Sequence, residues 1–144
     1  MYKPWDYLSK KKKFWGKVRK HNQRGKKLGF PTANVNLSKN IPEGIYISKT
    51  KLAGKEYKSI SFVGTVKTFN EKKFHSETYI LDFNKDIYGK WISVKLIKKI
   101  RDNKKFDTVD ELVKLMRKDE QETREYLCQY KFTPGVSTLR EDRN

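Results

Sequence analysis

The sequence predicts an all-β domain, a small antiparallel barrel with one helix near its C-terminal end. Three observations lead there. Between residues 44 and 98 the chain is a series of short runs alternating between apolar and polar residues, divided by turn residues. Only one segment, after residue 108, has both a helix start signal and helical apolar spacing. The third is composition. Of 144 residues only 35% are hydrophobic and mean hydropathy is −0.92, so there is material for one core and not for two. Eight Phe, eight Tyr and three Trp supply much of that core, because each ring buries a large area.

Taken in order, Phe14–Val18 is the first short strand. Gly44–Ser48 and Tyr57–Val63 flank a turn around Gly54 and form a hairpin. In the run Glu77–Phe83, residues Glu77, Tyr79, Leu81 and Phe83 share one face. Asp86–Gly89 is a turn, and Trp91–Ile97 then places Ile92, Val94 and Leu96 inward. Thr108-Val109-Asp110-Glu111 has the form of a capping box, in which the Thr hydroxyl and the Glu carboxylate satisfy two orphan amides. Val109, Leu112, Val113, Met116, Tyr126 and Leu127 follow along one face, and the helix is expected to stop before Pro134-Gly135. Closing the strands into a barrel removes edges that would otherwise stay exposed, with the helix packed across it. The expected organisation is a basic arm over residues 1–13, the barrel and helix over 14–132, and a polar tail over 133–144.

Charge bounds the partners. There are 34 Lys and Arg against 17 Asp and Glu, a formal charge of +17. Of the basic residues 27 are Lys and only seven Arg, while Ala occurs twice, a skew that reads as compositional bias with Lys on solvated positions. Residues 1–30 nevertheless hold eleven basic side chains against the single acid Asp6, a block able to grip phosphate. The arm is expected to be a solvated tail that binds nucleic acid only non-specifically. No stretch approaches the roughly 18 apolar residues of a membrane span. The lone Cys128, read as a small buried side chain, cannot form an internal disulfide, which fits a reducing cytoplasm. His21 and His75 read as solvated loop residues outside any metal site.

The segment richest in chemistry is Arg24-Gly25-Lys26-Lys27-Leu28-Gly29-Phe30-Pro31-Thr32-Ala33-Asn34. Its two glycines let backbone amides approach a phosphate chain, and Arg24, Lys26 and Lys27 add charge. Pro31 fixes the direction of the backbone ahead of Thr32 and Asn34. In an extended segment those two side chains point the same way, and both offer hard oxygens suited to Mg²⁺ held mainly by phosphates and water. Taken alone, the same loop reads better as a turn ending in an Asn that caps its own backbone.

Leu28–Asn34 resembles the signature of the riboflavin kinases, and the similarity continues in register. Ile41-Pro42-Glu43-Gly44-Ile45-Tyr46 resembles that family's entry to a strand. Glu77-Thr78-Tyr79-Ile80-Leu81-Asp82-Phe83, followed by Asp86-Ile87-Tyr88-Gly89, resembles its central motif. Ile100-Arg101, Lys105-Phe106, Glu111-Leu112 and Asp119 fall where its closing segment has matching residues, so the likeness runs over residues 14–127. The resemblance implies a six-stranded Greek-key barrel with a C-terminal helix. It also implies transfer of the ATP γ-phosphoryl group to the 5′-hydroxyl of riboflavin, giving FMN, with Mg²⁺ as cofactor. Glu77 would be the catalytic base, and Thr32 and Asn34 the metal ligands. The loop containing Arg24, Gly25, Lys26, Lys27, Gly29 and Pro31 would cradle the nucleotide, and Arg101 would begin a flap over the flavin.

The chain departs from the family at His21, in place of a Gly, at Lys67, in place of a Pro, and at Tyr79, in place of a His. No nucleotidyl-transfer motif occurs, so a stand-alone monomeric kinase or a separated kinase half, unable to make FAD, is expected. The competing expectations are a catalytically weakened barrel that binds RNA or a ribonucleoprotein, and a flavin-binding module without transfer.

Overall fold

The computed structural model describes residues 13–19, 32–38, 40–67 and 72–131. Among the described residues there are six strands, β1 (Lys13–Lys17), β2 (Ala33–Asn36), β3 (Gly44–Leu52), β4 (Lys55–Lys67), β5 (Lys72–Ile80) and β6 (Trp91–Arg101), and one helix, α1 (Val109–Lys131). All strand pairs are antiparallel, in the order β1-β6-β3-β4-β5-β2. An antiparallel bridge from Arg19 to Asn34 joins the two ends of that order, and the sheet becomes a nearly closed barrel. Its non-sequential neighbours, β1 beside β6 and β2 beside β5, are those of a Greek key.

Closure depends on a small residue. A methyl group added at Gly16 would overlap the side chain of Val35, so only glycine lets β1 approach β2 this closely. The barrel is filled by Phe14, Val35, Tyr46, Val63, Ile92, Val94 and Leu96, all of them buried. The predicted inward face of β6 is therefore correct. Burial pushes the Tyr46 phenol above its ordinary pKa, and its hydroxyl donates to the Pro42 carbonyl at 2.6 Å.

Part of the interior is polar. Thr50, Ser59, Ser48, Ser61 and Thr78 form a chain of hydroxyl hydrogen bonds of 2.7–2.9 Å across β3, β4 and β5, and every member is buried. A paired hydroxyl inside a barrel costs little, whereas an unpaired one costs about 1–3 kcal/mol.

Several expectations are corrected. The β3–β4 hairpin is longer than predicted, and its two-residue turn holds Ala53 at φ +51° and Gly54 at φ +83°. The alternation read through Phe83 ends at Ile80. Asp82 takes φ +58°, which turns the chain and returns Phe83 to the interior cluster. The cap of α1 is displaced by one residue. Thr108 Oγ1 accepts from the Glu111 amide at 3.2 Å, but Glu111 Oε1 reaches the Asp107 amide at 3.3 Å rather than that of Thr108. Val109, expected on the apolar face, is exposed at the first helical position. Cys128 is exposed, not buried, because a residue one step along a helix from Leu127 is rotated by 100° away from its face.

Candidate active site

The seam between β2 and β5 gathers the chemically useful side chains. Register places Asn34 directly opposite Glu77, Val35 opposite Ser76 and Asn36 opposite His75. Ala33 and Val35 belong to the interior core, so alternation turns Asn34 to the outer side of the barrel. Residues opposite each other on one face have Cβ atoms about 4.5–5.5 Å apart, so Asn34 and Glu77 are neighbours. The four-residue β2 sits between this seam and the bridge to Arg19, whose amide donates to the Asn34 carbonyl at 2.7 Å.

Asn34 is buried, yet its Oδ1 makes no hydrogen bond with any described residue. An amide oxygen so placed is an acceptor waiting for a partner. Glu77 is the charged group beside it, with a side chain 34% exposed and therefore open to a ligand.

His75 was not expected here. It is a strand residue, not a loop residue, and it is buried because Phe62 covers it edge-on with ring centroids 5.8 Å apart. Its Nε2 lies 3.0 Å from Glu77 Oε2. The i, i+2 spacing on a strand brings the imidazole and the carboxylate to one face. That spacing was the available signal, since His75 and Glu77 read as neighbours once the strand is extended back from Glu77 to Lys72.

Thr32 stands one residue ahead of β2 and lines a cavity of about 240 Å³. Val18, Ile80, Phe83 and Tyr88 give that cavity an apolar wall, and Lys85 adds a cation. Its far side is shaped by a turn in which Asp86 Oδ1 accepts from the Tyr88 amide at 3.0 Å. Asn34 and Glu77 lie beside this cavity in sequence and on the same two strands, but they do not line it.

Arg101 closes β6 and donates to the Asp102 carbonyl at 3.3 Å. The Lys99 ammonium, 2.7 Å from Asp102, holds that carboxyl below its ordinary pKa range. Asn103 then donates to the Val63 carbonyl at 3.4 Å, which ties the segment after Arg101 back to β4. The structure thus brings Asn34 and Glu77 together and leaves Thr32 at the cavity and Arg101 at a strand end. Arg24, Gly25, Lys26, Lys27, Gly29 and Pro31, like His21, lie outside the described residues.

Among the described residues no group of three or more His, Cys, Asp or Glu is placed to hold a metal, and no helix is long and apolar enough to cross a membrane. The oxygens that remain, from Thr32, Asn34 and Glu77, are hard donors, and the unpaired Asn34 Oδ1 suits a hard cation.

The family model for riboflavin kinase (flavokinase) matches residues 8–127. The chain belongs to the riboflavin kinase family. Known members show the same. The chain is 42% identical over 107 residues to the trifunctional protein RibF/MnmA of Mycoplasmoides gallisepticum, a match covering 72% of the chain and 16% of that protein. It is 36% identical over 111 residues to the bifunctional riboflavin kinase/FMN adenylyltransferase of Bacillus subtilis, covering 73% of the chain and 35% of the relative. The chain therefore spans about a third or less of the length of these curated relatives. The crystal structure of riboflavin kinase from Trypanosoma brucei has the same fold, with a TM-score of 0.60 at 24% identity over 87% of this chain and 91% of that one.

Proposed function

We propose that the chain transfers the γ-phosphoryl group of ATP to the 5′-hydroxyl of riboflavin, giving FMN and ADP. One observation carries the proposal most directly: the buried, unpartnered Oδ1 of Asn34 stands opposite the accessible carboxylate of Glu77. Phosphoryl transfer asks a protein mainly for positioning and for charge neutralisation. Glu77 accepts the proton of the riboflavin hydroxyl as the O–P bond forms and the bond to the leaving ADP oxygen breaks. His75 donates from Nε2 to Glu77 Oε2 and fixes which way the carboxylate faces.

Asn34 Oδ1 and Thr32 Oγ1 would hold Mg²⁺. When bound, the ion neutralises charge on the phosphate oxygens. The cavity beside Thr32, with its apolar wall and Lys85, takes part of the nucleotide, and the sequence Arg24–Pro31 supplies glycines and cations suited to its phosphates. Arg101 lies at the start of the segment that covers the flavin. The chain works as a cytoplasmic monomer on small-molecule substrates.

The test is FMN formation from riboflavin, ATP and Mg²⁺ by the purified protein. Turnover that needs all three supports the assignment. A folded protein that binds riboflavin and Mg-ADP without forming FMN would refute it.

A further inference from the structure

Away from the β2–β5 seam, the strand register assembles a surface that phosphoryl transfer does not use. Lys13 is opposite Lys95, Lys95 opposite Lys49, and Lys49 opposite Lys58, so four lysines form one row across β1, β6, β3 and β4. Neighbouring strands are about 4.8 Å apart, so the row curves about 14 Å around the barrel, with Lys13 and Lys95 on the side that carries the two Trp. The next row runs Trp15, Ser93, Lys51, Glu56, and the one after pairs Lys17 with Trp91. Phe14, Ile92, Val94 and Thr50 point into the barrel, so by alternation these rows lie on its outer side.

Two features are unusual. Trp15 and Trp91 are 67% and 62% exposed. They are diagonal neighbours, a separation of about 7–8 Å that long side chains bridge. Like charges placed directly opposite also destabilise a sheet. The three rows contain a single carboxylate, Glu56, whose Oε1 is 3.7 Å from Lys49 Nζ.

We infer that this outer face is a binding site for single-stranded nucleic acid. A polyanion is drawn to the lysines flanking the two indoles, and unpaired bases stack on the rings. A duplex offers phosphates but hides its base faces, which leaves the indoles without partners. An anionic bilayer needs a broader apolar face than two rings provide. The inference rests on strand register and exposure alone and stands apart from the kinase assignment.

The experiment titrates the full chain into fluorescein-labelled oligo(rU) and oligo(dT) of twelve nucleotides, read by anisotropy from 50 to 300 mM KCl. Trp15→Ala/Trp91→Ala is expected to weaken binding by roughly 5- to 150-fold per ring. The slope of log affinity against log salt should stay unchanged in that variant. Lys51→Ala/Lys95→Ala should flatten the slope by about 1.4, the release expected for two single-strand phosphate contacts. Trp15→Tyr/Trp91→Tyr keeps rings to stack on and should retain most of the affinity, with FMN formation and circular dichroism unaltered throughout. Equal affinity of the wild type and the Ala/Ala variant would overturn the inference, since the face would then act only as a polycation. So would tighter binding to phosphatidylserine vesicles that oligo(rU) fails to displace.

Discussion

The barrel contains two sets of buried polar groups, and they behave oppositely. Across β3, β4 and β5 the hydroxyls of Thr50, Ser59, Ser48, Ser61 and Thr78 satisfy one another. Across β2 and β5, Asn34 Oδ1 is buried without a partner among the described residues. Burial costs both sets their water, but only the first recovers it within the fold. Paired polar groups hold the barrel in register. The unpaired Asn34 Oδ1 is the acceptor on which the proposed metal site rests.

Breaking the second region should affect chemistry first. Glu77→Gln keeps the shape and removes the base, so turnover should fall about 10²–10⁴-fold. Riboflavin and Mg-ADP affinities, measured by calorimetry, should stay close to wild type. His75→Phe keeps a ring against Phe62 but loses the donor to Glu77. One charge-assisted hydrogen bond is at stake, so kcat should drop about tenfold with KM little changed in steady-state assays.

Breaking the first region should affect stability instead. Ser59→Ala removes bonds to both Ser48 and Thr50 and leaves Thr50 Oγ1 without this partner. Urea unfolding should show a loss of about 1–3 kcal/mol, while kcat is retained. The smallest effect belongs to the hairpin tip. Ala53 sits at φ +51°, a conformation that costs a non-glycine residue roughly 1–2 kcal/mol, and Ala53→Asn creates the Asn-Gly pair preferred in such turns. The same urea measurement should show a gain of roughly 0.5–1 kcal/mol.

The sequence made much of the first region legible and little of the second. Alternation in Trp91–Ile97 is strong because Ile92, Val94 and Leu96 give that strand an apolar inner side, and the structure keeps it. Strand β2 shows no such pattern. It has four residues, two of them Asn, a residue depleted in strands, and its pairing partner lies some forty positions away. Family motifs, not periodicity, singled out Asn34 and Glu77. His75 was misread because its environment is made by Phe62 on another strand, and cross-strand neighbours are invisible until register is known. The same holds for the lysine rows, since Lys13, Lys95, Lys49 and Lys58 come together only through three separate pairings.

The contrast between paired and unpaired polar groups is tested most directly at Asn34, by measuring thermal stability and FMN formation on the one variant Asn34→Ala. Removing an amide whose oxygen the fold leaves unpartnered should hold or raise the melting temperature. The same substitution should abolish FMN formation and weaken Mg-ADP binding far more than riboflavin binding. A melting temperature several degrees lower, with FMN formation intact, would contradict the account and make Asn34 a structural residue.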